Sequence, residues 1–161
     1  MMRIGLGGGC HWCTEGVVQA LRGVAGVEQG FLRSDPPWDA WAEGVVATFD
    51  PAVLPLDTLV EVYLRTHSGG GTYSPNGRYR SAVYVCEAGQ HDVATAVIAR
   101  VAAERGEPAR TLVLPFRDFT PPPERYRDYY RTDPNRPFCR RYIDPKLDFL
   151  RARFGHIVRP G

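Results

Sequence analysis

The chain has 161 residues, 43% of them hydrophobic, with three tryptophans, eight tyrosines and seven phenylalanines, enough apolar material for the core of one domain spanning residues 1–161. A formal net charge of +2, carried mostly by arginines scattered along the chain as a solvated surface with Lys146 the single lysine, argues against a nucleic-acid partner. No apolar run approaches membrane-spanning length and the N-terminus runs straight into a strand pattern without a leader-like stretch, so the expectation is a cytoplasmic protein, in which four cysteines point to catalysis, redox chemistry or metal binding rather than a disulfide framework.

In chain order, residues 4–6 read as a short buried strand, and Gly7, Gly8 and Gly9 as a turn without side chains. Val17, Val18 and Leu21 then recur at helical spacing, which predicts a helix over 11–21 ended by Gly23 and Gly26. Residues 27–32 form a second strand, 33–42 a loop holding Trp38 and Trp41, and 43–49 a third strand bounded by the Asp50-Pro51 turn. A helix over 55–66 follows from Leu56, Leu59, Val60, Tyr63 and Leu64, with Asp57 or Pro55 at its start. Residues 67–77 are glycine-rich and polar, a composition suited to lining a site.

A strand is expected at 79–85, an alanine-rich amphipathic helix at 89–105 and a strand at 111–114. Residues 115–123 read as an extended, proline-rich connection, 124–131 as a short tyrosine-rich helix and 133–138 as a turn leading to Cys139. A last helix over 145–154 puts Leu147, Leu150 and Phe154 on one face. With no internal repeat and no long linker, the pattern is an α+β or α/β sandwich, a mixed sheet with helices packed on it.

The chemistry centres on Cys10. A strand, a glycine turn and a cysteine at a helix start place sulfur among free backbone N–H groups at the positive end of a helix, which favours thiolate. The glycines let a polar substrate atom approach the backbone. Cys10 and Cys13 form a Cys-x-x-Cys pair on the first turn of that helix, and three readings are open: a thioredoxin-like dithiol, half of a zinc site, or a catalytic Cys10 with Cys13 as neighbour or resolving thiol. Zinc lacks further paired ligands, because Cys86 and Cys139 are isolated. Cys86, at the end of a strand, reads as a buried, inert thiol.

The run Gly-Gly-Cys-His-Trp-Cys at 8–13, followed by a helix, resembles the peptide-methionine sulfoxide reductases of the A class, whose signature is Gly-Cys-Phe-Trp-Gly. Further stretches agree in family order. These are Ala-Glu-Gly-Val-Val-Ala-Thr-Phe-Asp-Pro at 42–51, the helix at 56–67, Tyr-Arg-Ser-Ala-Val-Tyr at 79–84, and the long segment from Phe119 to Phe154 with its Arg-Pro-Phe-Cys and Asp-Pro-Lys-Leu motifs. The resemblance implies a two-layer α+β sandwich of that family's type and reduction of the S epimer of methionine sulfoxide, free or in proteins.

In that chemistry Cys10 attacks the sulfoxide sulfur and Glu43 protonates its oxygen, a role that suits a carboxyl in a poorly hydrated pocket. Tyr79 donates a hydrogen bond to the same oxygen, with Arg80 beside it pointing outward, and His11 and Trp12 wall the methyl pocket. The Cys10 sulfenic acid is resolved by a second thiol, Cys139 or else Cys13, and the disulfide is reduced by thioredoxin. No prosthetic group or metal is expected, and the chain is expected to act as a monomer. The alternative is a dithiol-disulfide oxidoreductase or redox-sensing module that uses Cys10 and Cys13 without a sulfoxide pocket.

The chain departs from the family at several points. His11 replaces phenylalanine and Cys13 replaces glycine in the signature, and Tyr126 stands where the family has histidine. The family's Asn-Pro-x-Tyr is missing, leaving Trp38 or Trp41 to fill its place and His11 or His67 to supply a donor. Ser74 and Asn76 lie where the family has Gly-Asn-Asp.

Overall fold

The computed structural model describes residues 1–8, 11–66, 80–121 and 144–159, with the backbone alone for 11–13. Its elements are β1 (Met2–Gly7), α1 (His11–Gln19), β2 (Val24–Arg33), β3 (Ala42–Phe49), α2 (Leu56–Thr66), β4 (Ala82–Val85), α3 (Gln90–Arg105), β5 (Leu112–Pro115), β6 (Asp118–Thr120) and α4 (Asp144–Phe154), the last followed by a 3-10 turn (Gly155–Ile157). The predicted helix over 124–131 and the turn at 133–138 lie outside the described residues.

Six strands form one sheet in the order β5-β4-β1-β3-β2-β6. β4 and β5 are parallel and the other pairs antiparallel, so the expected mixed sheet is present. β5 and β6 occupy opposite edges, yet only residues 116 and 117 separate them. Three Cα steps span at most about 11 Å. The sheet must therefore roll until its edges approach. Ser34 Oγ donates to the Pro115 carbonyl at 2.6 Å and Arg117 N–H to the Arg33 carbonyl at 3.3 Å, tying the two edges together.

Strand alternation sorts side chains onto the two surfaces of this roll. Ile4, Leu6, Val45, Ala47, Phe49 and Val83 face outward, where α1, α2, α3 and α4 cover them with Val18, Leu59, Val60, Ile98 and Leu150 to make the main core. Leu32, Val46, Ala82, Tyr84 and Leu114 face the concave side and form a second cluster with Trp38, Phe116 and Phe119. The concave side is tight because Gly7, Gly44 and Gly30 stand in one row across β1, β3 and β2. A Cβ on Gly44 would lie 2.5 Å from Leu32 Cδ1 and 2.6 Å from the Leu6 carbonyl oxygen.

Two expectations change. Residues 115–123 are not wholly a connection, since Asp118–Thr120 pair with Arg33–Phe31 as β6. Three residues are too few to carry an alternation signal, and the strand exists because β2 offers it an open edge. Arg80, expected to point outward, is 1% exposed. The roll turns the concave side into an interior, where the Arg80 guanidinium lies over the Tyr84 ring, donates from Nε to Tyr84 Oη at 3.0 Å and from Nη2 to the Leu32 carbonyl at 3.3 Å.

The helices follow their predicted ranges closely. α2 buries Leu59, Val60, Val62, Tyr63, Leu64 and Thr66, and α4 buries Leu147, Leu150 and Phe154. Gln90, the first residue of α3, is buried; its side-chain oxygen accepts from the N–H groups of Cys86 and Glu87 while its amide donates to the Arg3 carbonyl. α1 stops at Gln19, short of the expected Leu21, because Leu21 leaves the helix to bridge Val158. Arg22 N–H donates to the Ile157 carbonyl at 2.7 Å and Arg159 N–H to the Ala20 carbonyl at 2.7 Å, so residues 157–159 clasp the turn between α1 and β2.

Candidate active site

At one end of the sheet three strands meet. Gly7, the last residue of β1, pairs with Gly44 on one side and Ala82 on the other. Past it, Gly8 takes φ of 122°, a conformation open to glycine and strained for other residues, and α1 begins at His11. The predicted strand and helix are thus in place on either side of residues 9–10. Cys10 itself lies outside the described residues, as do Tyr79, Cys139, His67, Ser74, Asn76 and Tyr126. For His11, Trp12 and Cys13 the described backbone is the first turn of α1, and their side chains fall outside the description.

Glu43 is the expected site residue that the structure places with its side chain. It is the second residue of β3, one step toward the open end from Gly44, and is 2% exposed. Its phase with Val45 and Ala47 directs it to the convex, helix-covered surface, the side on which α1 packs. Phe31 of β2 stands directly opposite it. The result is a carboxyl largely withdrawn from bulk water at the same end of the sheet as Gly7.

Further polar groups lie beneath α1 that sequence reasoning passed over. Gln29 of β2, opposite Val45 of β3, is 2% exposed and donates from Nε2 to Glu15 Oε1 at 3.3 Å. Glu15 belongs to α1 and is 1% exposed; Thr14 beside it is also buried. Gln29 sits diagonally from Glu43 on the same surface, so the polar cluster reaches from α1 to the edge of the site. The available signal was Gln29 itself, a polar residue in phase with Val27 and Phe31 at a core position of its strand.

Of the two loop tryptophans, Trp38 packs against the concave cluster, away from the surface that carries Glu43. Trp41 precedes β3 and is half-exposed, its ring under the Arg33 guanidinium at 4.7 Å, and Arg33 in turn pairs with Asp118 at 3.0 Å. Trp41 is therefore the one on the side of the acid. Cys86 is half-buried rather than buried and carries a free thiol. Burial pushes this thiol above its ordinary range, against a smaller opposing pull from Arg3, which keeps it a poor nucleophile.

α2 reaches the same sheet end through Tyr63. Its hydroxyl donates to the Gly7 carbonyl and lies 3.3 Å from the Ala82 carbonyl oxygen. Burial holds this phenol far above the usual tyrosine range, so it stays a proton donor. Among the described residues no three His, Cys, Asp or Glu side chains gather as a metal site, and no helix is long and apolar enough to cross a membrane.

Comparison with known proteins gives a consistent result. A family model described as peptide methionine sulfoxide reductase matches residues 2–156. A Thermus thermophilus protein named peptide methionine sulfoxide reductase MsrA is 33% identical over 171 aligned positions, covering 96% of each chain. Among solved structures, reduced Mxr1 from Saccharomyces cerevisiae superposes with a TM-score of 0.70 at 19% identity, covering 83% of this chain and 86% of that one. Mxr1 in complex with Trx2 superposes with a TM-score of 0.63 at 18% identity, covering 76% of this chain and 81% of that one.

Proposed function

Because the chain belongs to the peptide methionine sulfoxide reductase family, an oxidoreductase family, we propose that it reduces the S epimer of methionine sulfoxide to methionine with Cys10 as nucleophile and Glu43 as acid. The observation that carries this reading is the position of Glu43: a carboxyl 2% exposed on β3, at the sheet end where β1 runs into the glycine turn before Cys10.

A sulfoxide sulfur is a weak electrophile until its oxygen takes a proton. Cys10 thiolate attacks sulfur while Glu43 delivers that proton to oxygen, and Tyr79 holds the oxygen by a hydrogen bond. His11 and Trp12 receive the methyl group. The oxygen then passes from the substrate sulfur to the Cys10 sulfur: the substrate S–O bond breaks, methionine departs with the electron pair, and Cys10 is left two electrons more oxidised as a sulfenic acid. Cys139 condenses with it, releasing water and forming a disulfide, with Cys13 as the second candidate for this step. An external dithiol, thioredoxin, reduces the disulfide, in keeping with the solved complex of Mxr1 with Trx2. Nothing in this cycle needs a bound cofactor, and one copy of the chain supplies every group named apart from the external dithiol.

The test uses dithiothreitol and the two enantiomers of methyl p-tolyl sulfoxide. Turnover of the S enantiomer alone, abolished in Cys10→Ser and lowered about a hundredfold or more in Glu43→Gln, is the expected result. Disulfide exchange through Cys10 and Cys13 without sulfoxide turnover would instead favour a general dithiol oxidoreductase. With thioredoxin as reductant, Cys139→Ser should stop multiple turnover, and full activity in that variant would move the resolving role to Cys13.

A further inference from the structure

We propose that Tyr63 is a positioning residue for this chemistry, its hydroxyl fixing at one point the two backbone segments that lead to Cys10 and to Tyr79; the inference rests on the roles proposed above for those two residues.

The argument begins with what holds the end of β1. Gly5 and Gly7 alternate along this strand, and Gly8 follows at φ of 122°. This backbone has few side chains of its own to pack, and glycine carries the largest conformational entropy of any residue. Its last rung is the pairing of Gly7 with Gly44 and with Ala82. Cys10 is three residues after Gly7, and Tyr79 is three residues before Ala82. Both reactive side chains thus belong to segments that leave the sheet at the same rung.

The Tyr63 hydroxyl sits on that rung. It donates to the Gly7 carbonyl and lies 3.3 Å from the Ala82 carbonyl oxygen. A phenol has one proton to give, and this one goes to the Gly7 carbonyl. Ser81, the residue before β4, is held in turn by its Oγ, 2.9 Å from Thr111 Oγ1 just before β5. Tyr63 is 1% exposed on a helix that packs into the main core, so its oxygen is held by a rigid element. Displacing a reacting group by about 1 Å can cost on the order of a hundredfold in rate, which is the scale on which such an anchor acts.

Tyr63→Phe deletes the oxygen and keeps the ring that fills the core. With methyl p-tolyl sulfoxide and dithiothreitol, the variant should lose about tenfold in kcat with KM within about twofold of the native value. The pH profile of Cys10 alkylation by iodoacetamide should move upward, because the backbone that leads to the thiol is no longer anchored at Gly7. Val62→Ala, one residue away on α2 and also buried, serves as the comparison: it should lower thermal stability while keeping the Tyr63 hydroxyl, and should leave both readouts in place. Native kcat and an unmoved alkylation profile in Tyr63→Phe, or equal losses in Val62→Ala, would overturn the proposal. A native protein that turns over neither sulfoxide enantiomer would refute the reductase reading instead, and the alkylation profile would then decide the role of Tyr63 by itself.

Discussion

Gln29 on β2 donates an amide hydrogen to the Glu15 carboxyl on α1 across 3.3 Å, with both side chains almost wholly withdrawn from water. The contact ties α1, the helix that follows Cys10, to the strand that faces Glu43. Replacing Gln29 by leucine keeps the volume and leaves a buried carboxyl without this donor. The expected cost is about 1–3 kcal/mol of unfolding free energy, read from urea denaturation, and Glu15→Gln should lose less because an amide oxygen can still accept.

Arg80 offers a second test. Its guanidinium spans the concave interior, with Nε on Tyr84 Oη and Nη2 on the Leu32 carbonyl. Lysine has one point charge and cannot meet both partners in a fixed fork. Arg80→Lys should therefore destabilise by about 3 kcal/mol, near the upper value for charged hydrogen bonds, and the lost melting temperature checks it.

Gly44 and Gly26 differ in what a methyl group would meet. At Gly44 it would strike Leu32 and the Leu6 carbonyl, whereas at Gly26 nothing lies within 4 Å. Gly44→Ala should cost about 1–3 kcal/mol through overpacking. Gly26→Ala should be neutral or stabilising by up to about 1 kcal/mol, through a less flexible unfolded chain. Parallel thermal melts of the two variants make the comparison.

Acid should weaken the contact between α2 and α3. Glu61 is partly buried, which opposes its ionisation, but hydrogen bonds and charge from Arg65 and Arg100 outweigh this and hold its carboxyl below the ordinary value of 4.5. Arg65 also pairs with Glu104, whose carboxyl it holds low. A group depressed in the folded state contributes stability above its unfolded pKa and loses it as pH falls through the folded value. Stability should thus decline below about pH 4.5, with a smaller decline in Glu61→Gln, as measured by urea midpoints across pH 3–7.

Much of the fold was legible because it rests on local periodicity. The apolar spacings of α2 and α4 each named a buried face that the folded chain confirms. The order of strands was not legible, since pairing joins residues far apart in the chain, and with it went the roll of the sheet. That roll is why Arg80 is inside and why Asp118–Thr120 are a strand. In the site, Glu43 was readable from its motif, and the structure adds its burial. Glu15, Gln29 and Tyr63 were overlooked because their significance lies in partners reached across the fold: α1 for Gln29, and the ends of β1 and β4 for Tyr63.

The clasp of residues 157–159 on the turn after α1 bears on how the protein is made. A ribosome releases α1 early, but the backbone partners of Ala20, Leu21 and Arg22 are among the latest residues synthesised in this stretch of chain. At translation rates of about 5–20 residues per second, the nascent helix next to Cys10 waits on the order of ten seconds or more for its final contacts. Throughout that interval Cys10 belongs to an unfinished chain, so its thiol can meet oxidants and foreign thiols before the fold closes, a lesion at cysteine that differs from the methionine sulfoxide the finished enzyme reduces.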